Sequence, residues 1–271
     1  MPEGDSIFNL ATKLRPLVGK EIVTFSARKL ATADSATLVG RKVVAVDARG
    51  KNLLIRLDDG RMIHIHLRME GRVFFERPRS TFWKPITTEP DMRLAVRGGP
   101  VIIGKSLPVL RVLTAKQEER ADDLASLGPD LCREGWDQAE ALRRFRALED
   151  REIADALLVQ RAAAGIGNVY KSEVLFLEKL APTTPLSRVS DDKLLAILRR
   201  ASSLLRANLK PGPRTTRASL GTSKLWVYNR AQKPCWKCGT AIRRFMQGPS
   251  PGRSTYWCPE CQAPTQTAST G

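Results

Sequence analysis

No stretch of this 271-residue chain approaches 18 consecutive apolar residues, which excludes a membrane-spanning helix. No basic amphipathic helix or lipidation signal stands out either, so a membrane surface is not the expected partner. The opening Met1-Pro2-Glu3-Gly4-Asp5 has neither the basic region nor the apolar core of a secretory signal, which points to a reducing, cytoplasmic compartment, the nucleoid if the source is bacterial. Internal repeats are absent. Histidine is nearly absent, and the two present, His64 and His66, alternate with Ile63, Ile65 and Leu67. They are expected on the outer face of a strand, because no third ligand stands near enough in sequence to make them a metal site. Acidic residues are in deficit: 28 Asp+Glu against 45 Lys+Arg leave a net charge of +17, spread along the chain, and nucleic acid is the leading partner.

Cysteine is scarce, and four of the five are paired at one spacing, Cys235-x-x-Cys238 and Cys258-x-x-Cys261. Each pair can close on a single ion if its two intervening residues turn tightly and the segment between the pairs leaves and returns. Four thiolates at roughly 2.3 Å around one structural Zn²⁺ satisfy both conditions. Two disulfides or four unrelated buried cysteines are the alternatives. The doubled spacing and the reducing compartment weigh against both. The intervening segment holds Arg243, Arg244 and Arg253 with Phe245, Tyr256 and Trp257, the composition of a hairpin that touches phosphate. Cys132 has no partner at metal spacing and is expected to be a buried structural thiol.

The 42% apolar content is ordinary for packed protein and leaves room for two modest domains and a small metal module. Ile7, Leu10, Ala11 and Leu14 recur at helical spacing until Pro16 and Gly19 stop the run. Strand-like runs follow at residues 21–28, 42–49, 53–57, 62–67, 72–76, 92–96 and 101–103, with turn signals between several of them, an antiparallel sandwich over 1–115. Over 116–225 helices dominate. Ala139, Leu142, Phe145 and Leu148 mark one, 153–160 another, 169–180 a third, and Ser190 caps a fourth with Leu194, Ile197, Leu198, Ala201, Leu204 and Leu205 facing the core. Residues 210–224 lack periodicity and read as a mobile basic loop. The metal module spans 226–262, and 263–271 reads as a frayed, disordered tail.

Two constellations could carry chemistry. In "AAAGIGNVYKSEVL" Gly165 and Gly167 permit close backbone approach, and Asn168 opens a helix whose first amides can bind an anion. An ordinary helix connection would look the same locally. At the other site, methionine ahead of proline is normally removed, leaving Pro2 with a free secondary amine beside the Glu3 carboxylate. Such an amine converts an aldehyde-level carbon into an iminium, and the carboxylate can move protons. A bland N-terminus also begins this way, and Lys51, after Gly50, is by itself equally well an ordinary turn residue.

The start "MPEGDSI", "RGKNLLI", "HLRMEG", "GIGNVYKSEVLF" and the ending "PCWKCG…GRSTYWCPECQ" together resemble the formamidopyrimidine-DNA glycosylase / endonuclease VIII family, in the family's order and over nearly the whole chain. "PEGDSI" looks like the endonuclease VIII branch. The resemblance implies an N-terminal β-sandwich, a helix-two-turns-helix domain and a zinc finger, acting as a monomeric bifunctional DNA glycosylase and lyase of base-excision repair. Its implied partner is double-stranded DNA with oxidised bases, pyrimidines favoured, or abasic sites, and single strands as well. It also implies roles. Pro2 attacks the first sugar carbon, Glu3 moves protons, and Lys51 sits against the sugar-phosphate. Asn168 and Arg253 hold the flanking phosphate, and Met69 fills the gap left by the flipped base. Departures stand beside these matches: no Arg-Phe-Gly lies between Met92 and Gly104, 210–224 lacks the aromatic sequence that covers 8-oxoguanine, and Arg68-Met69-Glu70 occupies the inserted triad. Glu173 lies in the matched helix motif without an assigned role.

Overall fold

A computed structural model describes residues 2–28, 30, 36–76, 89–218, 224–248 and 252–263. The expected disordered tail, 263–271, therefore lies almost wholly outside the described residues, as does 219–223 of the basic loop. The chain divides into two compact units, Met1–Ser126 and Leu127–Gly271.

The first unit is an antiparallel sandwich. Strands β1 (Ile22–Ala27), β6 (Met92–Val96), β7 (Val101–Lys105) and β5 (Arg72–Phe75) form one sheet in that order. Strands β2 (Val43–Arg49), β3 (Asn52–Leu57), β4 (Met62–His66) and β8 (Val109–Leu113) form the other. Alternation drives this: Ile63 and Ile65 of β4, Leu53 and Ile55 of β3 and Leu94 of β6 all turn into one core with Ile22, Phe25 and Ile102. Helix α1 (Gly4–Leu14) adds Ile7, Ala11 and Leu14 to that core and lies against β2 and β3; Leu10 is partly buried.

Strand β8 is absent from the sequence expectation, because "VLRVL" is short and follows Pro108. The expected surface role of His64 is also corrected, for this side chain is fully buried. Two short helices, α2 (Ala115–Arg120) and α3 (Asp122–Ala125), are tied to the outer face of the second sheet. Arg56 meets Glu118 in two parallel bonds of 2.9 Å, and Arg111 meets Asp123 at 2.7 Å. Segments distant from β4 in sequence thus turn a solvent face into an interior one.

The second unit has its own helical core. Helix α4 (Gln138–Arg146) starts where Asp137 accepts the Glu140 N–H at 2.9 Å and buries Ala141 and Phe145. Helix α5 (Ile153–Ala156) is a single turn, shorter than the expected 153–160. Gln160 is drawn out of helical pairing: its amide donates to the Leu158 and Ile166 carbonyls at 2.9 and 3.0 Å and accepts the Gly165 N–H at 3.1 Å. Helix α6 (Asn168–Leu177) is buried along almost its whole length, and α7 (Asp191–Ala207) is capped by Ser190 over a buried stripe of Leu194, Ile197, Leu198, Ala201 and Leu205. A hairpin of β9 (Arg243–Gln247) and β10 (Arg253–Trp257) completes the unit. No helix among the described residues is long and apolar enough to cross a membrane.

Candidate active site and metal centre

Pro2 lies just ahead of α1, half-buried on the wall of a cavity of about 710 Å³. Ser6, Met69, Glu70, Gly71, Arg72, Lys105 and Ser106 also line it, so the structure brings Pro2 and Met69 into one pocket. Glu3 is the N-cap of α1 and is fully buried, in a capping box with Ser6, whose hydroxyl accepts the Glu3 N–H at 3.4 Å. A carboxylate held there faces the positive end of the helix and stands next to Pro2.

The loop that presents Met69 is tightly built. The Gly71 N–H donates to the Leu67 carbonyl at 2.9 Å, and a β-carbon on Gly71 would fall 2.6 Å from that oxygen, so glycine is required by close approach. Arg68 is held at φ 47° and Ser106, on the pocket wall, at φ 51°, both in the left-handed region that non-glycine residues avoid. Met69 is left 50% exposed, an unusual position for a large apolar side chain and one suited to entering another molecule. Arg72, Lys105 and Ser106 were not singled out by the sequence. Their places come from the β7–β8 turn and the start of β5, which share no sequence motif with Pro2.

Lys51 does not line this cavity. It sits at the tip of the β2–β3 hairpin, in a two-residue turn closed by the Arg49–Asn52 pair with Gly50 at φ 57°. It stands near His66: burial first, then the charges of Lys51 and Arg68, hold that imidazole below its usual pKa.

In the second unit Gly165 takes φ 113°, the conformation that makes it glycine, and Gly167 is the extended N-cap of α6. Asn168 occupies the first helical position and is 5% exposed, so it offers solvent only a narrow edge. Arg253 opens β10, exposed, paired across the hairpin with Gln247. Glu173 has a clear place: it is fully buried and collects the N–H groups of Trp226, Val227 and Tyr228, each at 2.8 Å, together with the Thr216 hydroxyl. Burial pushes its carboxyl upward in pKa and these donors oppose the shift.

The described part of 210–224 is irregular loop, as expected, and it is tied by hydrogen bonds. Asn208 binds the backbone of Thr215 in both directions at 2.8 Å, and the N–H groups of Thr216 and Arg217 reach the Lys224 carbonyl at 2.9 and 3.1 Å. The Arg217 guanidinium also lies 4.4 Å from the Trp236 ring and 5.5 Å from that of Trp226.

The sulfur atoms of Cys235, Cys238, Cys258 and Cys261 lie within 4.8 Å of one another. Four thiolates at roughly 2.3 Å from one ion have sulfur–sulfur edges of about 3.8 Å. The Cys235–Cys261 and Cys238–Cys258 distances are 3.9 and 3.4 Å, so the donors fit a metal ion. The Lys237 and Cys261 N–H groups point at the Cys235 and Cys258 sulfurs at 3.4 and 3.5 Å; hydrogen bonds from Thr240 bring Cys238 down to about 6, while burial pushes the Cys258 and Cys261 thiols up. This module is not a separable appendage. Cys235, Cys258, Ile242 and Tyr256 share a core with Phe176 of α6 and Val227. The buried Lys171 amine donates to Thr255 at 2.8 Å, Thr255 donates to Gln247 at 2.7 Å, and Gln247 donates to Glu152 at 2.6 Å.

Comparison with known proteins gives the family. The formamidopyrimidine-DNA glycosylase N-terminal domain matches residues 1–101, and that enzyme's H2TH domain matches 127–219. A DNA-(apurinic or apyrimidinic site) lyase of Mycolicibacterium smegmatis is 38% identical over 97% of this chain and 99% of its own length. An endonuclease 8 of Mycobacterium tuberculosis is 36% identical over 97% and 100%. Among solved structures, the MutM protein of Thermus thermophilus superposes with a TM-score of 0.78 at 26% identity, covering 96% of this chain and 98% of the other. A Lactococcus lactis formamidopyrimidine-DNA glycosylase, crystallised with DNA containing an abasic site, gives 0.78 at 23% identity over 97% and 100%, a likeness of fold. The chain belongs to the formamidopyrimidine-DNA glycosylase family, with endonuclease 8 proteins among its similar relatives.

Proposed function

We propose that this protein is a DNA glycosylase and abasic-site lyase of base-excision repair that removes oxidised bases, pyrimidines preferentially, from duplex DNA. The observation that carries the reading is the placement of Pro2 on the pocket wall beside the buried Glu3, with the exposed Met69 on the same cavity. With Met1 removed, the Pro2 nitrogen has a lone pair and attacks C1′ of the damaged nucleotide as the glycosidic bond breaks and the base leaves. Opening of the sugar ring gives an iminium that acidifies the C2′ proton. Loss of that proton expels the 3′-phosphate, and a second elimination expels the 5′-phosphate. Glu3 donates the proton that opens the ring and takes part in the transfers that follow. Met69 fills the stack vacated by the flipped nucleotide. Lys51 engages the sugar-phosphate, and Asn168 and Arg253 hold the flanking phosphate from α6 and the hairpin.

The four cysteines hold one Zn²⁺ in this reading. The ion, when bound, balances the thiolate charge and cross-links the two knuckles, and the hairpin they close presents Arg253. The protein acts as a monomer in the cytoplasm.

A second reading, lyase action confined to abasic sites or single strands, is favoured by one observation: a relative 38% identical over nearly the full length is named for its abasic-site lyase activity. Borohydride trapping on an abasic duplex, followed by mass mapping, tests the shared chemistry. The adduct is expected on Pro2, and an adduct on Lys51 or any other lysine with Pro2 unmodified would refute it. A panel of oxidised pyrimidines and purines in single and double strands then separates the two readings: base release from duplex supports the first, and trapping without base release supports the second.

A further inference from the structure

On the outer face of the second sheet of the first unit a chain of hydrogen bonds runs from α3 to the hairpin that carries Lys51. Asp123 receives Arg111 at 2.7 Å, and a terminal nitrogen of Arg111 lies 2.9 Å from Nδ1 of His64. Nε2 of His64 lies 2.8 Å from Oδ1 of Asn52, and Nδ2 of Asn52 donates to the Arg49 carbonyl at 3.1 Å. The polarity of every link is set by its ends. A guanidinium only donates, so Nδ1 of His64 must accept, and the ring proton sits on Nε2. A carbonyl only accepts, so the Asn52 amide must aim its nitrogen at Arg49 and its oxygen at His64. His64 is 0% and Asn52 3% exposed, so water does not compete for these bonds.

The last bond closes the turn from inside. Arg49 and Asn52 are the facing pair that brackets Gly50 and Lys51, so the Asn52 side chain adds a second tie across the same two-residue turn. We propose that the chain Asp123–Arg111–His64–Asn52 positions Lys51 for its contact with the substrate's sugar-phosphate, with His64 and Asn52 as positioning residues. This rests on the role given to Lys51 above. It explains why the face of β4 opposite Ile63 and Ile65 carries a fully buried histidine. It also explains why a buried asparagine, costly without partners, stands directly after the lysine.

The test uses the full-length, metal-loaded protein and single-turnover cleavage of a duplex with a preformed abasic site, together with Kd for the same duplex. Lys51→Ala sets the floor. Asn52→Leu and His64→Leu, which keep volume but break the chain, are expected to slow cleavage about 10- to 100-fold, the scale of a misplacement near 1 Å, with Kd changed less than about threefold. His64→Gln, which can still donate to Asn52 from the equivalent position, is expected to recover most of the rate. In the Lys51→Ala background His64→Leu is expected to cost nothing further. Should the leucine variants fail to fold, Asp123→Asn, at the solvent end of the chain, is expected to give a severalfold slowing with the same dependence on Lys51. If Lys51→Ala is slow while folded His64→Leu, Asn52→Leu or Asp123→Asn cleaves at the normal rate, the positioning role is overturned and the reading of Lys51 stands. Full additivity with Lys51→Ala also overturns it. If Lys51→Ala itself is fully active, both are overturned.

Discussion

Replacing Glu173 by glutamine should loosen the segment that leads into the metal module while leaving the helical core in place. The carboxylate accepts two backbone N–H groups on one oxygen, those of Val227 and Tyr228, and the Trp226 N–H and Thr216 hydroxyl on the other. Glutamine keeps one accepting oxygen and turns the other site into a donor. The Thr216 hydroxyl can rotate and accept, but the Trp226 amide then faces an N–H group in place of its acceptor. An unsatisfied buried donor costs about 1–3 kcal/mol, and the two remaining bonds fall from charge-assisted to neutral strength at about 1 kcal/mol each. Burial of a neutral amide in place of a charge returns part of this, since burial disfavours the ionised carboxyl. The donors win, because three consecutive backbone amides converge on this one carboxyl, and a net loss of about 2–3 kcal/mol results. That corresponds to exchange of the Trp226, Val227 and Tyr228 amides about 30- to 150-fold faster, read by native-state hydrogen exchange with the amides of α7 as the internal reference. Unchanged protection at these three amides would refute the reasoning, as would equal acceleration throughout α7.

Chelating the metal should raise exchange not only at the cysteine knuckles but also in the last turn of α6, because Phe176 shares the core of Cys235, Cys258 and Tyr256; unchanged protection at Phe176 and Leu177 would show the module to be independent after all. Arg253→Ala should weaken binding to damaged and undamaged duplex alike and make the salt dependence shallower by about one ion, since a phosphate contact carries no base information. An unchanged salt slope would place Arg253 away from DNA. Met69→Ala should slow base excision from duplex more than cleavage at a preformed abasic site in a single strand, because only the first must hold a vacated stack open. Equal losses would count against insertion. His64 titrates near 4 in the folded protein against 6.5 free, through burial first and the Arg111 charge second. The unfolded chain therefore takes the proton first. Stability from this group is whole above pH 6.5 and declines as pH falls toward 4, by about 3 kcal/mol at most. Urea titrations between those limits should show that slope, and His64→Gln should flatten it.

What the sequence by itself determined was whatever local spacing controls. Two Cys-x-x-Cys pairs impose tight turns wherever they occur, and the four sulfurs do converge. Alternation over 62–67 and a helical stripe over 194–205 each report a buried face, because side-chain direction follows from backbone period alone. Ser190 as a cap and Gly165 at positive φ are equally local facts.

Tertiary structure decided what lies against the other face. Alternation marks His64 as outward, yet it is fully buried between Asn52 and Arg111, on a face to which Arg56–Glu118 and Arg111–Asp123 tie α2 and α3. The pocket is the same kind of fact: Pro2, Met69 and Lys105 meet there from three separated segments. Periodicity in 153–160 fits a helix, yet the Gln160 amide finds better partners in a loop that passes later in the chain. The metal module looks self-contained because its ligands are, but Phe176, Lys171 and Glu173 reach it from a helix whose sequence signals only an anion site at its start. Period and spacing act within a few residues. Burial, hydrogen-bond partners and site walls depend on contacts between residues far apart in the chain, and no local pattern encodes which of them will meet.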